Sequence, residues 1–396
     1  MIQRPTRVAL ALMTSAAALL ALAGCVPNNP TSAGGDAGSA PTLAVDSSAD
    51  ACAVSEAEAP SGNLVFTVTN SGDEVTEFYL LAEDGLRIVG EVENIGPGIS
   101  RDLVVAAQPG DYFTVCKPGM IGAGIDKTAF TVTDSGTQLA LSDDLAAQVD
   151  IANANYKSYV KDQVENLVTG TEDFAAAYIA GDDDTARSRY APTRVFWERI
   201  ETVAESFGDL DPRMDLREAD LEEGQEWTGW HAIEKDLWPA EAEAGFTAYT
   251  PEKRQALADQ LVADTDTLYA DVQDLEFTLD QQANGAIGLL DEVATGKVTG
   301  EEEFWSHTDL WDFQANIDGA KVLYAGVRDI LSEKDPDLTN QLDEEFDSLQ
   351  ELLDAQRVGD GFTLYTELTA EEIRAFSDQV NALGEPLSKL TGVLVL

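Results

Sequence analysis

The chain has 396 residues and carries 24 lysines and arginines against 73 aspartates and glutamates, which gives a formal net charge of −49. This charge excludes a nucleic-acid-binding protein, because phosphate contacts require clustered basic side chains, and it disfavours attachment to anionic lipid through basic residues. The length predicts two or three domains, and 44% hydrophobic residues provide ample material for folded cores.

The N-terminal residues have the order of a secretory signal. Arg4 and Arg7 precede an apolar run over residues 8–23. This run is short for a transmembrane helix, which needs ~20 residues, and its flanks are those of an export signal. We therefore predict a lipoprotein signal peptide over residues 1–24.

The cysteine that follows this signal indicates a lipid anchor. Residues 22–25, Leu-Ala-Gly-Cys, resemble a bacterial lipobox, which implies cleavage before Cys25 and acylation of its thiol. An ordinary secretory signal with a chance cysteine is the alternative. The residues up to 51 are rich in Ala, Ser, Gly, Pro and Asn, so we predict a lipid-anchored flexible tether over 25–51 at the outer face of the cell membrane.

Short alternating and β-branched runs separated by turn signals follow the tether. They span Leu64–Thr69, Glu77–Leu81, Leu86–Val92, Leu103–Ala106, Tyr112–Cys116 and Ala129–Val132. Six or seven short strands at this spacing predict a small Greek-key sandwich, which we assign to residues 52–136.

Cys52 and Cys116 are the cysteines that remain once Cys25 is acylated. In an exported protein two cysteines more often form a disulfide than a metal site. The alternative is a metal site in which both join a carboxylate such as Glu77. Residues 26–150 contain no histidine, and a blue-copper site needs two imidazoles besides its thiolate, so an ordinary electron-transfer copper centre is disfavoured.

From about residue 145 onward, apolar residues recur with the period of a helix. Stripes of this kind continue to the C-terminus, with further helical segments at 184–207, 229–238, 302–332 and 340–357. Long amphipathic helices with short links predict a helical bundle over 145–396. The predicted fold class is therefore multidomain, with an all-β sandwich followed by an all-α bundle.

The two histidines of the chain both lie in this helical region. His231 and Glu234 have the i, i+3 spacing that places two side chains on one helix face, from which both can reach one cation. An isolated pair of this kind is a weak signal, and a surface ion pair is the alternative. His307 could be a ligand or a structural residue bonded to Asp309 or Asp312, and we favour the structural role because its surroundings are apolar.

A second pair of acidic residues strengthens the metal hypothesis. Glu198 and Glu201 have the same i, i+3 spacing, and neighbouring carboxylates repel each other unless a cation lies between them. Neutralisation by Arg194 or Arg199 is the alternative. Glu pairs and Glu/His pairs on neighbouring helices build iron sites in bundles, and such ligands suit Fe²⁺, Fe³⁺, Mn²⁺ or Zn²⁺.

Several longer motifs resemble the EfeO family of iron-uptake proteins across essentially all of residues 150–396. They are the segments 190–194, 198–201, 205–212, 229–235 and 306–316. The segments 93–98 and 108–112 look like the cupredoxin-like domain that precedes the imelysin-like helical domain in two-domain members, and imelysin-like domains are sometimes labelled peptidases.

The resemblance implies an exported protein that captures iron, as Fe²⁺ or Fe³⁺, and delivers it to an EfeU-type permease beside an EfeB-type haem peroxidase. It also implies site residues. In the helical domain the implied metal ligands are Glu198, Glu201, Asp215, His231, Glu234 and one carboxylate of the 301–303 run, which we take as Glu302. In the β domain the candidate ligands, for copper or a second iron, are Cys52, Glu77 and Cys116.

Two enzymatic functions are the alternatives to a binding protein. A zinc peptidase of the His-Glu-x-x-His type needs a second imidazole one turn after the first, and the chain has Lys235 there. The other alternative is a ferrous oxidase that uses the cupredoxin-like domain. We expect a binding protein rather than an enzyme.

Overall fold

The computed structural model describes residues 40–86, 88–120, 124–136, 143–204, 207–221 and 224–395. The predicted signal peptide and the acylation site Cys25 lie outside the described residues. A β-sandwich over residues 42–133 precedes a helical domain, which confirms the predicted fold class. Within the described ranges no helix is both long and apolar enough to cross a membrane.

The sandwich consists of nine described strands in two sheets. In chain order they are β1 (Thr42–Ser47), β2 (Cys52–Val54), β3 (Glu58–Pro60), β4 (Gly62–Asn70), β5 (Thr76–Leu81), β6 (Ile88–Ile95), β7 (Ser100–Ala107), β8 (Gly110–Cys116) and β9 (Ile125–Thr133). One sheet has the order β2-β1-β4-β7, and the other has the order β3-β9-β8-β5-β6. All six predicted strand runs fall on strands of the sandwich, β4 to β9.

Alternating apolar side chains fill the space between the two sheets. Phe66 on β4 packs against Phe78 and Phe130 of the other sheet, with ring centroids 5.3 and 5.5 Å apart. Cys52 and Cys116 form a disulfide within this core. Burial of these residues fixes which face of each strand points inward, because side chains alternate between the faces of a strand.

The sandwich begins earlier than the sequence predicted. Residues 42–47, assigned to the flexible tether, form β1, which pairs in parallel with β4. Leu43 and Val45 are buried between exposed neighbours, so this short segment has the alternation of a half-buried strand. The Ala- and Ser-rich composition around it concealed that pattern, and the predicted tether is wrong in its last part.

The helical domain contains eleven helices within the described ranges. They are α1 (Asp143–Ala180), α2 (Asp183–Glu198), α3 (Glu201–Ala204), α4 (Leu210–Asp215), α5 (Gly229–Leu237), α6 (Pro251–Asp271), α7 (Leu279–Glu292), α8 (Asp309–Lys334), α9 (Pro336–Ala355), α10 (Ala370–Leu387) and α11 (Leu390–Val395). The short strands β10 (Arg357–Val358) and β11 (Gly361–Phe362) form a hairpin between α9 and α10.

Two features of the chain between helices position the site. A π-helical turn over Val293–Lys297 continues α7 and carries a buried lysine at its end. The helix predicted over 302–332 begins only at Asp309, so residues 302–308 form a turn instead, in which Glu302, Glu303, Trp305 and Ser306 are buried. The turn is held because the backbone N–H of Glu303 donates to the Asp309 carboxylate at 3.1 Å.

The sandwich packs on the helical domain through β6, β7 and α7. Polar contacts tie the two domains together: the backbone N–H of Ala106 donates to Asp280 at 2.8 Å, and Arg101 pairs with Asp291 at 3.1 Å. Residues of both domains therefore line the space between them.

Candidate metal centre

Separate segments of the helical domain bring acidic side chains to one buried cluster, which we call the acidic centre. None of its members is more than 8% exposed. It contains eight carboxylates, one imidazole and two permanent cations: Glu198, Glu201, Asp215, Glu234, Glu302, Glu303, Asp309, Asp312, His231, Arg194 and Lys297.

The end of α2 supplies the first carboxylate pair. The helix predicted over 184–207 is interrupted after Glu198, because the N–H of Ile200 bonds the carbonyl of Trp197 at 2.9 Å and tightens the last turn. Glu201 begins α3 instead of extending the same helix face. Oxygens of Glu198, Glu201 and Asp215 nevertheless lie within 4.8 Å of one another.

The ring of His231 on α5 lies between two sets of carboxylates. Its Nδ1 is 3.2 Å from Glu234, as the i, i+3 spacing predicts. Its Nε2 is 3.3 Å from Asp215 and 3.4 Å from Glu302. The imidazole therefore links the α5 pair to carboxylates from two other segments.

Two buried cations hold the acidic centre together. The guanidinium of Arg194 bonds Glu198 and Asp215 and pairs with Glu303 at 2.7 Å. The ammonium of Lys297 is 3.3 Å from both Glu198 and Glu201, 3.7 Å from Glu292 and 3.8 Å from Glu302. Buried carboxylates at this density require compensating charge.

Burial and mutual repulsion shift the pKa values of these groups. Burial raises the pKa of Glu198 to about 7, although Lys297 and Arg194 oppose the shift. Burial, reinforced by the charge of Glu303, raises the pKa of Glu234 to about 8. By contrast, burial opposes ionisation of Asp215, but Arg194 and His231 together hold the pKa of this carboxyl below its ordinary value.

His231 and Lys297 both hold their protons in this environment. Burial would lower the pKa of His231, but hydrogen bonds to Glu234 and Glu302 raise it well above the ordinary value. For Lys297 the carboxylates around the ammonium outweigh burial and likewise raise the pKa. An incoming metal ion must therefore displace positive charge that the site already contains.

A cavity of about 550 Å³ between the two domains gives access to one side of the acidic centre. Glu201, Asp215 and Glu302 line it, whereas Glu234 and Glu303 do not. Two groups of ligand atoms around His231 could hold a cation: one with Asp215 and Glu302, the other with Glu234 and Glu303. The first group is the better candidate because it borders the cavity.

The acidic centre brings together all six residues predicted for the helical-domain site: Glu198, Glu201, Asp215, His231, Glu234 and Glu302. That these residues bind a metal stays a prediction. Sequence reasoning missed Glu303, Asp309, Asp312 and Lys297 as members, and it named Arg194 only as a possible partner that neutralises the glutamates. The acidic run 301–303 signalled a carboxylate there, whereas nothing in the sequence pattern indicated a buried lysine.

The second predicted site, formed by Cys52, Glu77 and Cys116, is wrong as a ligand set. The two sulfurs are bonded to each other, so neither is available as a thiolate for copper or iron. Cys116 also lies opposite Phe78 in the strand register and points into the sandwich core. Glu77 precedes Phe78 on β5 and therefore projects from the other face, into the cavity.

His307 is not part of the acidic centre. Its Nε2 is 3.9 Å from Glu241, and the side chain is 24% exposed. The expected partners do not hold its ring: Asp309 accepts from the backbone of Glu303, and Asp312 pairs with Arg194 at 3.7 Å. The backbone of His307 has a left-handed conformation, with φ of 58°, at the turn before α8.

Comparisons with known proteins agree with this architecture. Residues 152–390 match the family model for imelysin, which is labelled as peptidase family M75. The chain is also 36% identical to proteins named "Iron uptake system component EfeO" from Escherichia coli O157:H7, E. coli K12 and Shigella flexneri. Each match covers 339 residues, which is 85% of this chain and 87% of the relative. The chain therefore belongs to the imelysin family, together with the EfeO iron uptake components.

Proposed function

We propose that this protein is the extracytoplasmic iron-binding component of an uptake system, which captures iron in the acidic centre and delivers it to a membrane permease. The observation that carries the proposal is the convergence of His231 Nε2 with Asp215 and Glu302, at 3.3 and 3.4 Å, beside an open cavity. The printed name of the EfeO relatives supports iron as the cargo.

The donor set favours a hard or borderline cation. The ligand atoms of the cavity-side group are carboxylate oxygens and one imidazole nitrogen, with no thiolate among them. Such donors suit Fe²⁺ and Fe³⁺, and they also accept Mn²⁺ and Zn²⁺, so selectivity depends on which metal the system presents. Lys297 and His231 supply positive charge that can leave the ligands as iron binds.

Delivery requires that the protein stay near its permease. An acyl chain on Cys25 would hold it at the outer face of the cell membrane, and the residues before β1 would act as a tether. An EfeU-type permease and an EfeB-type haem peroxidase are the partners that the family resemblance suggests.

The enzymatic alternatives have less support. A zincin site needs two imidazoles one helical turn apart, whereas the residue one turn after His231 is Lys235, which forms ion pairs with Glu218 and Glu243. No group of metal-capable side chains within the described residues contains both histidines. A cupredoxin-type oxidase would need a thiolate, and Cys116 is in a disulfide.

Anaerobic calorimetry with Fe²⁺ on protein produced without a histidine tag tests the proposal. We expect one tight binding event in the acidic centre that His231→Ala combined with Glu302→Gln abolishes. His307→Ala is the matched control, because it removes the other imidazole, which lies outside the centre, and it should leave binding unchanged. Equal affinity of the double variant and the wild type would refute the proposed site.

A further inference from the structure

The cavity between the domains has a second acidic wall, which the sandwich supplies. Glu77 on β5 and Glu93 on β6 both line the cavity. Phe78 and Val92, which adjoin them along the two strands, belong to the sandwich core. Because side chains alternate along a strand, the two glutamates project together from the face that looks toward the helical domain.

Glu93 is the most unusual member of this wall. It is 6% exposed, and its carboxylate forms no hydrogen bond or ion pair with any residue that the structure describes. Buried carboxylates in native proteins are paired or coordinate metals, so an unpartnered one that lines a cavity points to a ligand there.

The surrounding charges add to this indication. Burial, reinforced by Glu292 and Glu77, raises the pKa of Glu93 well above its ordinary value. Nine acidic and three basic side chains line the described part of the cavity. Of the basic groups, Lys117 pairs with Glu77 at 3.7 Å. Carboxyl groups still outnumber basic groups, so a cation that enters the cavity can replace the protons that their raised pKa values retain.

The opposite wall of the cavity connects this position to the acidic centre. Asp211 on α4 and Glu292 at the end of α7 face the sandwich across the space. Glu292 is also 3.7 Å from the ammonium of Lys297, which contacts Glu198 and Glu201. The carboxylates thus continue from the sandwich wall to the acidic centre through Glu292.

We propose that Glu93 and Glu77, with Glu292 and Asp211 on the opposite wall, form a second cation-binding position that receives a hydrated hard cation before it passes to the acidic centre. Its place in iron capture rests on the proposed function, but binding at the cavity position does not. The ligands are carboxylates alone, and a cavity of about 550 Å³ leaves room for several waters on the ion, as hard cations bound to few carboxylates commonly retain. This position differs from the cysteine site predicted from sequence, because its only common residue is Glu77.

The proposal is tested by the number of Mn²⁺ ions bound per mature chain. Equilibrium dialysis followed by elemental analysis measures this number. We expect two ions per wild-type chain. Glu77→Gln combined with Glu93→Gln should leave one ion, and His231→Ala combined with Glu302→Gln should also leave one. Glu56→Gln combined with Glu58→Gln is the matched control, since both residues are exposed on the sandwich, and it should keep two.

Every other result contradicts the cavity position, the assignment of the acidic centre, or both. Two ions after the Glu77/Glu93 change would overturn the cavity position. A single wild-type ion that only the His231/Glu302 change removes would also overturn it and leave the proposed function intact. A single ion that only the Glu77/Glu93 change removes would instead overturn the assignment of the acidic centre. No bound ion in the wild type would overturn both.

Terbium luminescence gives a second readout that does not depend on the Glu77 and Glu93 variants. The hydroxyl of Tyr79 donates to the Glu77 carboxylate, so a Tb³⁺ ion in the cavity would lie near the phenol ring that sensitises its emission. In protein that carries His231→Ala and Glu302→Gln, adding Tyr79→Phe should remove most of the remaining emission. Unchanged emission would contradict the position.

Discussion

His231 and Glu234 are joined through Nδ1 of the imidazole, 3.2 Å from Oε2 of the carboxylate. The other oxygen of Glu234 accepts hydrogen bonds from the backbone N–H groups of Trp305 and Ser306, at 2.9 and 2.7 Å. Both oxygens of Glu234 are therefore occupied, and the pair leaves Nε2 of the ring directed at Asp215 and Glu302. Glu234 has the geometry of a group that orients a ligand rather than that of a ligand.

Glu234→Gln should weaken iron binding without abolishing it. The amide keeps the shape of the side chain but cannot accept from the ring and from two backbone donors at once, so the ring loses its fixed orientation. Loss of a partner that orients a metal-binding histidine typically costs about 10–100-fold in affinity. Calorimetry with Fe²⁺ should give a loss in this range for Glu234→Gln and a larger loss for Asp215→Asn.

Glu243→Gln serves as the control for this comparison. Glu243 is exposed in the segment that follows α5, and it pairs with Lys235 at 3.0 Å. It has no contact with the imidazole of His231. Its substitution should leave affinity unchanged. A loss for Glu234→Gln as large as that for Asp215→Asn would indicate that Glu234 is itself a ligand.

Lys297→Met should strengthen iron binding and destabilise the iron-free protein. The ammonium neutralises the carboxylates that iron would use, so its removal takes away a competitor and leaves buried charges unpaired. Breaking a buried ion pair typically costs ~3–5 kcal/mol of stability. Thermal unfolding should therefore show a lower midpoint without iron and a larger increase on adding iron than the wild type shows.

Lys321→Met is the matched control for the lysine variant. Lys321 pairs with Asp347 on the exposed surface, where such pairs contribute roughly 0–1 kcal/mol. Neither the midpoint nor the response to iron should change. If Lys297→Met bound iron more weakly than the wild type, the ammonium would be supporting the metal site rather than competing for it.

The sequence predicted the parts of the centre that depend on local geometry. The i, i+3 spacing of His231 and Glu234 places both on one face of any helix, and the structure has that contact. Lys297 could not be found this way, because its burial depends on a π-helical turn and on carboxylates from three other segments. Such turns have no reliable sequence signal.

The β domain shows the same limit for non-local pairing. Each strand run could be predicted from its own alternation, but the register between strands could not. Because Cys116 pairs with Phe78 in register, Glu77 lies on the opposite face of the sheet from Cys116. The proposed cysteine–carboxylate site failed for that reason. β1 was missed because the Ala- and Ser-rich residues around it concealed its short alternation.

Iron binding should release protons and tighten as the pH rises from about 6 to 8. Burial raises the pKa of Glu198 to about 7 and that of Glu234 to about 8, so these carboxylates are partly protonated near neutral pH. Protonated Glu234 would no longer hold the ring of His231 as an ionised acceptor, and protonated Glu198 would no longer contribute negative charge beside the ligands. Protonation therefore opposes iron binding, and affinity falls as the pH falls. Calorimetry in two buffers of different ionisation enthalpy measures the released protons directly. A binding constant independent of pH over this range would contradict the assignment.

Removing the disulfide should cost stability but not iron binding. The bond joins Cys52 to Cys116 across 64 residues, and a loop of that length corresponds to about 4 kcal/mol of stabilisation in the chain-entropy description. Replacing both cysteines with alanine should therefore lower the free energy of unfolding of the sandwich, measured by chemical denaturation, by about that amount. The number of Mn²⁺ ions bound per chain should not change, because both positions proposed here use carboxylates and one imidazole. Loss of an ion in the alanine variant, with the sandwich still folded by circular dichroism, would restore the cysteines as ligands.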